Sequence, residues 1–149
     1  MRIISGIYKG KRLTAPKNLP VRPTTDFAKE ALFNILNHRI DFEEVTLLDL
    51  FSGTGNISYE FASRGTQEIT SVDVDFGCIK YIQKIAEELS FPIKAMKTDV
   101  LKYLQASTDS FDVIFADPPY NFSLEQLNTL VEMVFQNNKL NKEGFLIIE

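Results

Sequence analysis

The chain has 149 residues, of which 44% are hydrophobic, with one cysteine and one histidine. This composition provides one sizeable core and excludes two ordinary domains, an internal disulfide and a zinc cluster with the usual ligands. The net charge of −4 conceals a division: residues 1–40 carry +6 and the remainder carries −10. Such asymmetry is typical of proteins that contact nucleic acid or a membrane.

The first forty residues predict a small basic unit followed by a helix. Residues 2–13 alternate apolar pairs with glycine and basic residues, which indicates a hairpin, and three prolines then mark a loop. Asp26 is expected to cap a helix whose inward face has helical spacing. That face comprises Phe27, Ala28, Ala31, Leu32, Ile35 and Leu36. We expect residues 1–24 to form the basic hairpin and loop and residues 25–149 the main body, with the whole chain as a single compact domain.

From Val45 onward, short apolar runs alternate with amphipathic segments, a rhythm that predicts parallel strands joined by helices. The predicted strands are residues 45–50, 68–73, 93–97, 111–116 and 145–149. Residues 77–89 predict a helix with Cys78 in the core and Ile79, Ile82, Ala86 and Leu89 on one face. Ser123 and Gln126 predict a capping box for a last helix with Leu124, Leu127, Val131 and Val134 inward. The expected fold class is an α/β doubly wound sheet with helices on both faces.

The sequence leads us to expect neither a membrane-spanning segment nor a secretory signal. No apolar run approaches the roughly 18 residues of a spanning helix, and the first residues lack the apolar core of a secretory signal. We therefore expect a soluble, cytoplasmic and monomeric protein without a metal.

A glycine loop follows the first predicted strand, where Gly53 and Gly55 allow a tight turn and a close approach to a ligand. Asp73 ends the second strand, where its carboxylate can accept hydrogen bonds from a ribose diol. Together these features predict a nucleoside-cofactor site. The residues assigned to it are Asp49, Phe51, Ser52, Gly53, Gly55, Asn56, Asp73, Val74, Asp99 and Val100.

Two cofactors compete for this site. A dinucleotide would favour glycine or alanine at the position of Ser58 and would need a place for its pyrophosphate. S-adenosylmethionine instead carries an ammonium, which suits Asp49, and a carboxylate, which suits the amides of the glycine loop. Asp99 can accept from the adenine amino group, although a turn or a helix cap is the alternative reading. The three acids favour the cationic cofactor.

The fourth predicted strand runs into Asp117, Pro118, Pro119 and Tyr120, the candidate catalytic residues. Two prolines hold a rigid turn that exposes acceptors without donors. Asp117 and the Pro118 carbonyl can accept the two hydrogens of an exocyclic amine, which directs its lone pair at a methyl donor. Tyr120 can stack on a base removed from its helix.

These motifs, together with the basic segments at residues 2–6, 9–13 and 22–26, resemble the bacterial 16S ribosomal RNA guanine-N2 methyltransferases of the Asp-Pro-Pro-Tyr group. The resemblance spans the chain and implies S-adenosylmethionine as cofactor and small-subunit RNA, or the assembled subunit, as substrate. We expect the basic segments to contact phosphate. The residues assigned to RNA are Arg2, Lys9, Lys11, Arg12, Lys17 and Arg22.

Two features depart from the family pattern. Ser58 replaces a small glycine, which is expected to alter helix packing. The sequence also stops in the fifth predicted strand, where the family continues into an antiparallel hairpin that completes the sheet. We expect this hairpin to be missing and the fifth strand to have an edge prone to pairing.

Other functions remain open at this level. DNA adenine-N6 methylation uses the same motif, but we expect no extra domain that would read a DNA sequence, which makes this alternative less favoured. A non-catalytic RNA-binding protein and a nicotinamide oxidoreductase are the remaining alternatives.

Overall fold

The computed structural model describes residues 1–21 and 24–149. Five helices and five strands follow one another along these residues. In chain order they are α1 (Asp26–Leu36), β1 (Thr46–Leu50), α2 (Asn56–Ser63), β2 (Glu68–Asp73), α3 (Phe76–Leu89), β3 (Ile93–Lys97), α4 (Val100–Ala106), β4 (Phe111–Ala116), α5 (Leu124–Gln136) and β5 (Leu140–Ile148).

The strands form one parallel sheet in the order β3-β2-β1-β4-β5. Chain connections run outward from β1 through β2 to β3, then return to β4 on the other side of β1. The order therefore reverses between β1 and β4, and parallel α/β sheets open a ligand crevice at such a point. This confirms the predicted doubly wound fold.

Helices cover both faces of the sheet, because alternate strand residues point to opposite sides. Leu47 and Val113 pack with α1, α2 and α3 in one hydrophobic cluster. Their neighbours Leu48 and Ile114 pack with α4 and α5 in another. Burial on both sides explains why β1 and β4 have nearly continuous apolar sequences.

Two helix predictions need correction. Thr25, not Asp26, caps α1, since its side chain accepts from the Ala28 amide. The buried face of α1 is also rotated: Lys29, Phe33 and Leu36 are buried, whereas Phe27 is 84% exposed and Ile35 is exposed too. Lys29 lies on the buried face because it forms a buried ion pair with Glu60. A search for apolar residues at helical spacing does not reveal a buried lysine.

The α3 prediction holds, whereas the inward face of α5 is only partly as predicted: Leu130 and Val134 are buried, but Leu127 and Val131 are half-buried. The predicted α3 face and Cys78 are buried, and the Ser123–Gln126 capping box is present. Leu124, however, is exposed, because the first turn of α5 extends past the edge of the cluster that buries Leu130 and Val134.

The fifth strand begins earlier than predicted. It starts at Leu140, beside Phe111, and its register shifts before Phe145 pairs with Val113. The polar residues between Leu140 and Phe145 hide this start in the sequence, and Glu143 there adopts a left-handed φ of 66°. β5 lies at the edge of the sheet with β4 as its neighbour.

The amino-terminal hairpin is closed by one antiparallel bridge between Arg2 and Arg12. It is attached to α2 at Ser63, whose carbonyl accepts from the Ile7 amide at 2.8 Å and whose hydroxyl accepts from the Tyr8 amide at 3.0 Å. Gly6 makes this contact possible: a Cβ there would lie 1.9 Å from the Ser63 carbonyl oxygen. The hairpin is thus fixed against the helix that follows the glycine loop.

Candidate active site

A cavity of about 690 Å³ opens where β1 and β4 end. Strand register explains why its walls come from distant parts of the sequence. Leu50 of β1 lies beside Val72 of β2 and Ala116 of β4, so the residues that follow these three strands meet at one edge. Asp49, Asp73 and Asp117 all line the cavity.

The glycine loop has the conformation that its sequence predicts. Gly53 and Gly55 have positive φ angles of 55° and 92°, which glycine adopts without a steric cost. A Cβ at Gly55 would lie 2.6 Å from Cζ of Tyr59, so no larger residue fits there. The loop backbone is thereby held against α2, and Ser52, Gly53 and Asn56 line the cavity.

Asp73 organises the loop from the neighbouring strand. Its Oδ2 accepts from the Gly53 amide at 2.9 Å, and its Oδ1 accepts from the Asp75 amide at 2.9 Å. Asp75 in turn caps α3 by accepting from the Cys78 amide. One carboxylate therefore connects the loop after β1 with the turn after β2.

Asp49 is buried at the base of the cavity and belongs to a hydroxyl chain. The Ser58 hydroxyl donates to its Oδ2 at 2.6 Å, and the Ser58 and Ser71 hydroxyl oxygens are 2.7 Å apart. Burial raises the pKa of Asp49 to about 7; the Ser58 hydrogen bond opposes this rise, whereas the nearby Asp73 carboxylate adds to it. Asp49 can thus change its charge near neutral pH.

Some predicted cofactor residues lie outside the cavity walls. Gly55 acts as the N-cap of α2, and Val100 is buried in the first turn of α4. Asp99 caps α4 by accepting from the Lys102 amide at 3.1 Å, which matches the alternative reading of this residue. It follows the strand beside β2 and lies two residues beyond Lys97, the register partner of Asp73. Its contact with adenine stays a prediction.

The Asp-Pro-Pro-Tyr segment lines the outer part of the same cavity. Asp117 and Pro118 are half-buried, whereas Tyr120 is 88% exposed at the mouth. The turn is closed by the Phe122 amide, which donates to the Pro119 carbonyl at 2.9 Å. Phe122 also packs edge-on against Phe51 of the glycine loop, with ring centroids 5.1 Å apart. The two predicted motifs therefore share one cavity, and Phe122, two residues beyond Tyr120, packs against the glycine loop.

Residues of the amino-terminal unit complete the cavity, and sequence reasoning missed them. They are Met1, Leu13, Thr14, Ala15, Pro20, Val21 and Thr24. Their only signal in the sequence is the row of prolines, which indicates a rigid loop but not its position. Further missed wall residues are Thr54, Ile57, Asp75 and Phe115.

The predicted RNA-binding residues are mostly solvent-exposed. Lys9, Lys11, Arg12 and Lys17 are exposed, whereas Arg2 donates to Asp26 at 3.1 Å. Arg22 lies outside the described residues. Lys29 contributed to the +6 count, but it is only 1% exposed and is paired with Glu60 at 2.9 Å. The surface charge of this region is therefore smaller than the sequence indicates.

Residues 1–21 and 24–149 contain no group of three or more His, Cys, Asp or Glu arranged to hold a metal ion. None of the helices within those ranges has the length and apolar character needed to cross a membrane.

Sequence comparison gives one family and several named relatives. The family model described as "Conserved hypothetical protein 95" matches residues 1–149. Ribosomal RNA small subunit methyltransferase D of Buchnera aphidicola subsp. Baizongia pistaciae is 32% identical, over 100% of this chain and 75% of the relative. The protein of the same name from Haemophilus influenzae is 31% identical, over 100% and 78%.

Solved structures agree with this result. Escherichia coli yhhF has a TM-score of 0.87 and 27% identity, with 99% of this chain and 79% of that chain covered. The Thermus thermophilus 16S rRNA N2 G1207 methyltransferase, solved with AdoMet and guanosine, has the same fold at a TM-score of 0.70 and 23% identity, covering 87% and 36%. The relatives above 30% identity confirm the predicted methyltransferase class. The chain belongs to the Conserved hypothetical protein 95 family.

Proposed function

We propose that this protein transfers a methyl group from S-adenosylmethionine to the N2 amine of a guanine in small-subunit ribosomal RNA. The observation that carries the proposal is one cavity that joins a glycine loop and two acids to the Asp-Pro-Pro-Tyr turn, with an exposed aromatic ring at its mouth. The small subunit methyltransferase D relatives support an RNA substrate. A structural neighbour that acts on a guanine N2 supports the choice of amine.

The cavity has the chemistry to hold S-adenosylmethionine. Asp49 suits its ammonium and Asp73 its ribose hydroxyls, while the amides around Gly53 suit its carboxylate. The Ser52 hydroxyl is buried and has no hydrogen-bond partner among residues 1–21 and 24–149, as expected of a group that serves a ligand. When bound, S-adenosylmethionine supplies an electrophilic methyl group.

The Asp-Pro-Pro-Tyr turn then orients the amine. The lone pair of guanine N2 is delocalised into the base and attacks poorly until the amine is drawn toward tetrahedral geometry. Acceptance of its two hydrogens by Asp117 and by the Pro118 carbonyl favours that geometry and positions the lone pair. Tyr120 offers a flat surface on which a displaced base can stack.

The exposed basic residues beside the cavity are proposed to hold RNA phosphates. Lys17 lies in the loop between two cavity-lining residues, Ala15 and Pro20, and Lys9, Lys11 and Arg12 extend the charge along the hairpin. We further propose that the chain is divided into a basic unit, residues 1–24, and a cofactor-binding body, residues 25–149.

Charge reversal of the hairpin tests this surface. We expect Lys9→Glu, Lys11→Glu and Arg12→Glu together to weaken RNA binding and to reduce the dependence of affinity on salt, because fewer counterions are released. Filter binding over a range of salt concentrations measures both effects. The matched control reverses three exposed lysines of the body, Lys94, Lys102 and Lys142. Equal losses in the two triple variants would contradict a hairpin-specific contact.

The activity itself is tested by incubating the chain with tritiated S-adenosylmethionine and unmodified small subunits or naked 16S RNA. Mass spectrometry of the digested nucleosides should give N2-methylguanosine. N6-methyladenosine formed in DNA would favour the adenine alternative. Binding of RNA without any methylated product, together with no calorimetric heat from S-adenosylmethionine, would favour a non-catalytic binder and contradict the proposal.

A further inference from the structure

The buried hydroxyl chain beneath the cavity has no role in the proposed methyl transfer, yet it ends on a proposed cofactor ligand. Ser58, Ser71 and Asp49 come from α2, β2 and β1, and each is at most 1% exposed. Asp49 and Ser71 are register partners on adjacent parallel strands, so their side chains project on the same face of the sheet. Helix α2 covers that face and brings Ser58 between them.

Hydrogen-bonding capacity fixes the direction of this chain when Asp49 is ionised. A carboxylate only accepts, so the single Ser58 proton is donated to Oδ2 of Asp49. The Ser58 oxygen can then only accept from Ser71, 2.7 Å away. The order of donation is therefore Ser71 to Ser58 to Asp49, and each bond polarises the next. A glycine at position 58 has no hydroxyl to make either contact.

We propose that Ser58, supported by Ser71, is a positioning residue that holds Asp49 as a fixed carboxylate for the ammonium of the cofactor. Asp49 faces three further titratable groups. Asp73 at the end of β2 and Asp117 after β4 disfavour its charge, and Tyr59 on α2 is a buried phenol that stays neutral. Against burial and two acids, Ser58 favours the ionised form, first through its hydroxyl and second through its backbone amide. Replacement of Ser58 by alanine removes only the hydroxyl.

The consequence is a cofactor affinity that depends on a proton. An ammonium binds the ionised carboxylate, so a protonated Asp49 must release its proton when the cofactor binds. Because burial raises the pKa of Asp49 to about 7, affinity is complete above that pH and is lost as the pH falls through it. Loss of the Ser58 hydroxyl raises the pKa further and shifts this loss to higher pH.

The first test uses the chain without cofactor. Carboxyl ¹³C chemical shifts of Asp49, followed from pH 4 to pH 10, report its titration midpoint. We expect Ser58→Ala to raise the midpoint by about one unit, because a hydrogen bond to the charged form is lost. Ser71→Ala should raise it by less, since Ser58 keeps its bond to Asp49. The control is Thr66→Val, which removes a buried hydroxyl bonded to the Phe42 carbonyl and should leave the midpoint unchanged.

The second test measures calorimetric affinity for S-adenosylhomocysteine, which has the ammonium, and for methylthioadenosine, which lacks it. At pH 7, Ser58→Ala should weaken the first ligand about fivefold, given a one-unit shift, with recovery at pH 9. The second ligand should show no such effect.

The inference rests on the proposed cofactor role of Asp49, and the two tests separate their failures. An unchanged midpoint in both Ser58→Ala and Ser71→Ala overturns the role of Ser58 whatever the ligands do. A raised midpoint with no difference between the two ligands supports the hydroxyl chain and instead contradicts the assignment of the ammonium to Asp49.

Discussion

Glu60→Gln is expected to lower the free energy of unfolding by about 3–5 kcal/mol, because it leaves a buried cation without its charge partner. Glu60 is fully buried in α2 and binds Lys29 at 2.9 Å and Arg64 at 2.8 Å. It also accepts from the amides of Ile4 and Ser5 in the amino-terminal hairpin. Four donors therefore converge on its two oxygens, and glutamine offers only one acceptor oxygen.

The structural effect of Glu60→Gln should extend to the active site. Lys29 also donates to Oδ1 of Asn56, the first residue of α2 and part of the cavity wall, at 2.7 Å. The same ammonium binds the Arg2 carbonyl at 2.9 Å. Glu60 and Lys29 thus connect the hairpin, α1 and the glycine loop, so we expect urea denaturation of the variant to be accompanied by weaker cofactor binding.

The stabilisation by Glu60 should also depend on pH, in a direction that the pKa of its carboxyl determines. Burial on its own raises the pKa of Glu60, but the Ile4 amide and the Lys29 ammonium outweigh it and hold the pKa below the ordinary value of 4.5. The stabilisation by Glu60 is therefore present above that pH and is lost as the pH falls through the folded-state pKa. The gap between the wild-type protein and Glu60→Gln should be full at pH 7 and should shrink under acid conditions.

An exposed pair supplies the control. Lys84 and Glu88 on α3 are 4.0 Å apart, with side chains 67% and 54% exposed. Glu88→Gln should change the free energy of unfolding by less than about 0.5 kcal/mol. Similar losses in the two variants would show that burial of the Lys29–Glu60 pair is not the cause. A Glu60→Gln gap that does not shrink at any pH below 4.5 at which both proteins still fold would contradict the assigned role of the Glu60 charge.

This ion pair also illustrates where sequence reasoning stops. The strands were predictable because β1 and β4 are buried on both faces, which produces apolar runs that local sequence reveals. Three of the five strands match the predicted bounds, and β1 differs by one residue. Lys29, by contrast, read as one more basic residue of the first forty. Its acid partner lies in α2, and no local pattern joins the two.

The site residues likewise fall into a predictable group and an unpredictable group. Motifs placed just after strands were predictable, since the carboxyl ends of parallel strands meet at one edge. The contribution of the hairpin and loop to the cavity was not, because it depends on how Gly6 seats the hairpin on Ser63. Ser58 was recognised only as a departure from glycine. The role of its hydroxyl depends on the contact with Ser71, which is the register partner of Asp49 in the folded sheet.

Asp117→Ala is expected to lower kcat by about 10²–10³-fold, the usual effect of removing one preorganised hydrogen-bonding group from an active site. Cofactor affinity should not fall with it. The Asp117 carboxylate is one of the charges that raise the pKa of Asp49, so its removal lowers that pKa and favours the ionised Asp49 at neutral pH. We therefore expect an unchanged or slightly lower Kd for S-adenosylmethionine beside a large loss of turnover.

The combination of a large loss of turnover with unchanged cofactor affinity distinguishes a catalytic role for Asp117 from a structural one. A variant that merely distorts the cavity would lose cofactor affinity and turnover together, as Asp49→Asn should lose affinity. Asp109→Asn is the matched control, because Asp109 is an exposed carboxylate just before β4, at the opposite end of the strand, and its loss should change neither quantity. Single-turnover methyl transfer and calorimetry on the same preparations measure both. Methyl transfer by Asp117→Ala at the wild-type rate would contradict the assignment, because the amine would then be oriented without this carboxylate.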